Sequence, residues 1–279
     1  MRPWLRIFLI GLALWAASVL VTIWTENSNL VPTVVLLGSF LVPVTFVVWA
    51  YGRERSSEVT VELLFKAFVI GGVLGVLGAS ILESYLKPSL VMFVGVGLIE
   101  EGVKLAALML LTRGLRRHDV RDGVVLGATV GFGFAAFESA GYAFNAMFTS
   151  EGVSVVQLVE TEILRGVLAP VGHGLWSAII GGVLFSAGGR LAGKVILTYL
   201  GVSLHALWDS MSGLAIAITL LLTGQPWQFQ LIRIGKVPGV TDGQVHLYTV
   251  LNWGGLIIIS ALALLWLRSV MGAVNRRWR

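Results

Sequence analysis

The sequence predicts an all-α polytopic membrane protein of eight transmembrane helices with both termini in the cytoplasm. Three observations carry that prediction. Hydrophobic residues make up 56% of the 279 and charged ones 13%, with a mean hydropathy of +0.87, a balance too apolar for a soluble fold. Apolar runs of spanning length recur at 5–24, 30–51, 62–82, 89–112, 122–144, 163–188, 195–222 and 248–268. With the N-terminus inside, fourteen Lys and Arg fall on inner segments, among them Arg2, Arg53, Arg113, Arg121, Arg190 and Arg276, against four outside, Lys87, Arg165, Arg233 and Lys236. This bias obeys the positive-inside rule at each loop pair, so the net charge of +5 reflects topology and not a nucleic-acid footprint.

The first span follows Met1-Arg2-Pro3 and resembles the charged start of a signal peptide. Its apolar core runs on without a small-residue cleavage site, so it reads as an uncleaved anchor. Pro32 and Pro43 bracket or bend span two, and Lys66 near the start of span three reaches for the cytoplasmic interface. Trp4, Trp15, Trp24 and Trp49 read as interfacial belt or packing residues, and spans one to three carry little chemistry. Glycine pairs at small-xxx-small spacing, Gly71/Gly75 and Gly127/Gly131, mark close helix packing. Absent cysteine excludes disulfides, thiolate metal sites and a cysteine nucleophile.

Chemistry concentrates on spans four to seven, a core of about 89–222 within one transmembrane domain covering 1–279, with outer spans at 5–82 and 248–268. Span four, VGLIEEGVKLAALMLLT, carries Glu100, Glu101 and Lys104, spaced so that the ammonium reaches either carboxylate on one helical face. Each ionisable group at that depth costs at least about 2.5 kcal/mol on insertion scales. One lysine cannot neutralise two carboxylates, so one glutamate needs another cation, a proton or a water to deprotonate.

Span five adds Glu138 and Tyr142 at i,i+4. Span six adds His173 between glycines, after Pro170, which loosens the helix. Span seven adds His205 and Asp209 at i,i+4, a carboxylate able to orient an imidazole. With alternating topology and a rise of about 1.5 Å per residue, all of these fall at the midplane or in the outer half. The loop from Thr223 to Leu247 lies outside and is read as partly structured.

Carboxylates and histidines in one layer fit a hydrolase in which a glutamate activates water and acidic or imidazole groups stabilise the oxyanion. HExxH and HxxEH are both absent. No cofactor is expected; a zinc ion, if held, would take His173, His205, Asp209 and Glu100. Two other readings compete. Mid-membrane charges also serve proton- or ion-coupled transporters, although no inverted repeat is evident, and the same cluster could bind a partner helix without catalysis.

The order Glu100-Glu101-x-x-Lys104, Phe137-Glu138-x-x-x-Tyr142, His173 and His205-x-x-x-Asp209 resembles the PrsW family of intramembrane proteases. That family is grouped with CAAX prenyl endopeptidases and bacteriocin-immunity-type proteins as membrane-embedded glutamic proteases. The resemblance covers roughly 96–212 and implies that Glu100 activates the attacking water, positioned by Glu101 and Lys104. It implies His173 as the partner in water activation and His205 with Asp209 on the oxyanion side, and it matches Glu138 to the second motif. It also implies a single-pass membrane protein as substrate, cut as in site-1 cleavage of an anti-sigma factor, in a prokaryotic plasma membrane whose lipids surround the enzyme.

Overall fold

In the computed structural model the described residues are 1–53, 58–87, 92–116, 119–150, 152–234, 236 and 238–276. Long apolar segments leave no water to satisfy the backbone, so helices form throughout. They are α1 (Pro3–Thr25), α2 (Val31–Arg53), α3 (Val61–Glu83), α4 (Met92–Thr112), α5 (Val120–Ala146), α6 (Val155–Leu168) and α7 (His173–Ser186), followed by α8 (Gly193–Val202), α9 (Ala206–Asp209), α10 (Met211–Thr223), α11 (Pro226–Arg233) and α12 (Asp242–Arg276). A two-stranded antiparallel ladder after α5 pairs Phe148 with Val153 and Thr149 with Gly152.

Among the described residues six helices are long and apolar enough to cross a membrane, and a seventh if the pair Gly193–Asp209 and Met211–Thr223, bent by 58°, counts as one. The chain is a multi-pass membrane protein. The eighth expected span is α4, 21 residues long, in which every stretch of 18 contains Glu100, Glu101 and Lys104. Length and composition therefore establish fewer spans than the eight expected.

Two expected spans are interrupted where the site lies. Span six begins earlier than expected, at Val155, and breaks at a 3-10 turn over Ala169–Val171, because Pro170 has no N–H to give. Span seven tightens to a second 3-10 turn, Ser203–His205, between α8 and α9, and its 58° bend follows at Ser210, between α9 and α10. The loop expected from Thr223 to Leu247 contains α11 and the first turns of α12.

α5 is the axis of the bundle. Its glycines let two neighbours approach on opposite sides: a Cβ on Gly127 would collide with the Ser177 carbonyl of α7, and one on Gly133 with the Phe68 carbonyl of α3. Gly71 and Gly75 of α3 lie against Val130 and Phe134 of α5, so both glycine pairs have packing roles. One apolar core gathers Leu108, Leu126, Ile179 and Leu184, and a second, near the other end of α5, gathers Val34, Ala143 and Leu158. Between them along α5 runs the stretch from Phe134 to Glu138 that faces the polar groups described next.

α1 is tied to the bundle by a polar contact that the belt reading of Trp15 missed. Trp15 Nε1 donates to Glu162 Oε2 of α6 at 2.8 Å, while the buried Oε1 has no hydrogen-bond partner among the described residues. Lys66, in contrast, is exposed and pairs with Glu62 at 2.5 Å.

Candidate active site

Helical spacing on α4 turns Glu100, Glu101 and Lys104 to one face, and that face is buried against α7 and the turn before α9. Lys104 is 1% exposed. Its Nζ lies 3.1 Å from Glu100 Oε2, 2.9 Å from Glu101 Oε1 and 2.8 Å from His173 Nδ1, and 4.0 Å above the Phe134 ring. All three N–H groups are therefore occupied.

The ammonium has no lone pair, so His173 Nδ1 accepts and the ring proton sits on Nε2; this tautomer is assigned from the partners. Nε2 then donates to Glu138 Oε2 at 3.0 Å. The same oxygen accepts from Arg165 Nη2 at 2.5 Å. Arg165 Nε donates to Ser139 Oγ at 2.7 Å, and its guanidinium lies 4.3 Å from the centre of the Tyr142 ring.

His205 closes the other side. Tightening of the helix at Ser203–His205 lets its ring turn toward α4, where Nε2 lies 3.3 Å from Glu100 Oε2 and 3.2 Å from Asp209 Oδ2. Nδ1 faces the Val202 carbonyl at 3.3 Å and Glu101 Oε1 at 3.5 Å. Both ring nitrogens meet acceptors, so the ring is held by donation from each side. His173 and His205 stand edge to face with centroids 5.4 Å apart.

Hydrogen-bonded and ionic contacts therefore run without interruption from Asp209 through His205, Glu100, Lys104, His173 and Glu138 to Arg165. The spacing-derived pairs Glu100/Lys104 and His205/Asp209 are in contact, Glu101 hangs from Lys104 beside them, and Glu138 pairs with His173 and Arg165 instead of Tyr142. Tyr142 differs: no hydrogen bond joins it to Glu138, and it is 53% exposed with its ring under Arg165.

Three residues escaped the sequence reading. Arg165, assigned to an outer loop, belongs to α6, whose helical periodicity continues upstream through VVQLVETEIL. Ser139 follows Glu138 on α5 and holds the guanidinium in place. Glu83, the last residue of α3, lines the cavity reached by Glu100.

Two cavities flank the cluster. One of about 230 Å³ is lined by Glu83, Glu100, Phe134, Phe137, Glu138 and Tyr142 among others. The other, about 60 Å³, is lined by Arg165, His173, His205, Trp208 and Asp209. Both have the room and the polar walls that water requires.

Glu100, His173 and His205 also offer one ligand atom each within 4.8 Å of one another. Two imidazoles and a carboxylate with an open position are zinc's catalytic donor set, so these residues fit the ion in kind and spacing. Asp209, expected as a fourth ligand, stands outside that group and contacts His205 instead. Lys104 already bonds two of the three donors, Glu100 Oε2 and His173 Nδ1, and a metal would have to displace it.

The family description "PrsW family intramembrane metalloprotease" matches residues 59–234, which includes every residue of this cluster. No curated protein and no solved structure matches the chain.

Proposed function

The chain belongs to the PrsW family of intramembrane proteases, and from that premise we propose that it hydrolyses a peptide bond in or near the transmembrane segment of a single-pass membrane protein by glutamate and histidine water activation. The observation that carries this reading is the convergence of Lys104 and His205 on one oxygen of Glu100, at 3.1 and 3.3 Å, with His173 on the same ammonium, beside cavities able to hold water. A carboxylate so held is fixed in place, and both hydrogen bonds fall on its Oε2.

In the proposed reaction Glu100 takes a proton from a water in the adjoining cavity, with His173 holding the Lys104 ammonium beside it, and the water oxygen attacks the scissile carbonyl carbon. The oxyanion accepts hydrogen bonds from the His205 side, where Asp209 fixes the ring. Collapse breaks the C–N bond, and the proton held by Glu100 passes to the departing amine. Lys104, Glu101 and Glu138 act as positioning residues that each touch a reacting side chain, and Arg165 acts one step further out, through Glu138.

Zinc is the second reading, favoured by the proximity of Glu100, His173 and His205. These three would hold the ion, which would supply Lewis-acid polarisation of water or carbonyl. Against resident metal stands Lys104, which fills the same place with a cation of the chain's own.

The eight-span, N-in and C-in arrangement is part of this proposal, with α4 as the eighth span. It would put the cluster at the midplane or in the outer half of a prokaryotic plasma membrane, in keeping with site-1-type cleavage of an anti-sigma factor. The test is proteolysis of a reconstituted single-span substrate: Glu100→Gln and His205→Ala should each abolish product, and undiminished cleavage by either would overturn the reading.

A further inference from the structure

We propose that Glu83 is a specificity-determining residue that selects substrates with a basic side chain beside the scissile bond. This rests on the hydrolase reading of the cluster and deepens it. Glu83 ends α3 and lines the 230 Å³ cavity whose wall also includes Glu100. Its Oε1 is buried and has no hydrogen-bond partner among the described residues.

The other acids of the layer are each held by a cation or an imidazole, whereas Glu83 forms no ion pair among the described residues, although Glu101 Oε2 is likewise without a hydrogen-bond partner there. Glu100 and Glu101 share Lys104, Glu138 has Arg165 and His173, and Asp209 has His205. An unpartnered buried carboxylate oxygen costs stability until a donor reaches it, and a substrate ammonium or guanidinium is such a donor.

The aromatic walls suit the same occupant. Phe134 and Phe137 line the cavity beside Glu83, and Phe134 already has an ammonium 4.0 Å from its centroid, that of Lys104. Ring faces next to a carboxylate make a site for a lysine or arginine side chain. At about 230 Å³ the space takes one such chain with a few waters, at about 30 Å³ per water. A basic residue anchored there brings the neighbouring peptide bond against Glu100.

The experiment uses single-span Leu/Ala peptides with Lys, Gln or Glu stepped through the flank beside the span. Binding is measured to the Glu100→Gln protein in lipid nanodiscs, which separates recognition from cleavage. With Glu83 present, the Lys peptide should bind about tenfold more tightly than the Glu peptide at one register. Glu83→Gln should erase that ratio and Glu83→Lys should invert it. Equal binding of the three peptides at every register, or a ratio untouched by both variants, would overturn the proposal. A charge preference in a protein that cleaves nothing would support the Glu83 site while sinking the hydrolase reading.

Discussion

Lys104 Nζ lies 2.8 Å from His173 Nδ1, and this contact joins the paired glutamates of α4 to the histidine that opens α7. It sets the imidazole tautomer, aims Nε2 at Glu138, and leaves the ammonium saturated inside the bundle. Structure and chemistry therefore hang on one side chain.

Removing that side chain leaves two buried carboxylates without their cation, and breaking such a pair from one side costs about 3–5 kcal/mol. Lys104→Met is expected to lower the melting temperature sharply in detergent. Adding Glu101→Gln to the same protein should recover part of the loss, because one of the two orphaned charges is gone. A Lys104→Met protein as stable as the parent would contradict the network.

Arg165 and Glu138 form the far end of the same chain, and their effects should not add. Arg165→Ala and Glu138→Gln are each expected to slow cleavage about 10- to 100-fold in kcat with KM little changed, by analogy with loss of outer-shell partners. The double variant should be no worse than the poorer single one. Independent, multiplying losses would separate Arg165 from His173 positioning.

Trp15→Phe removes the donor to Glu162 Oε2 and leaves both oxygens of a buried carboxyl without a partner among the described residues. A cost of about 1–3 kcal/mol is expected, read as a lowered melting temperature. Combining it with Glu162→Leu should restore stability, since both polar partners are then gone. Loss that persists in the double variant would assign the effect to packing of the indole.

Much of this site was legible in the sequence, for a physical reason. Charged side chains within apolar runs stand out because lipid makes them costly, so Glu100, Glu101, Lys104, His173, His205 and Asp209 could be picked out and ordered by depth alone. What escaped lies at helix ends and breaks. Arg165 and Glu83 sit at the margins of hydrophobic windows, where a charge carries no penalty signal, and the partners of Arg165 come from another helix. Glu138 was found, but its pairing with Arg165 was not, since i,i+4 spacing pointed to Tyr142. The break at Pro170 and the tightened 3-10 segment at Ser203–His205 turn the two histidines inward; proline announced the first, and no residue announced the second.

Metal content separates the two chemistries that the donor set allows. With Lys104 bonded to Glu100 and His173, the expected result is purified protein with far less than one zinc per chain, whose cleavage rate is unchanged by chelator. Loss of activity on chelation, recovered by adding zinc alone, would move the account to the metal reading and require Lys104 to swing away.

The most direct test of the central claim is the single-turnover cleavage rate of Glu100→Gln in nanodiscs, beside its melting temperature. Glutamine keeps the shape and the hydrogen bonds yet cannot take a proton, so a fall of about a hundredfold to ten-thousandfold with the fold intact is expected. A folded Glu100→Gln protein that cuts substrate at the parent rate would contradict the account.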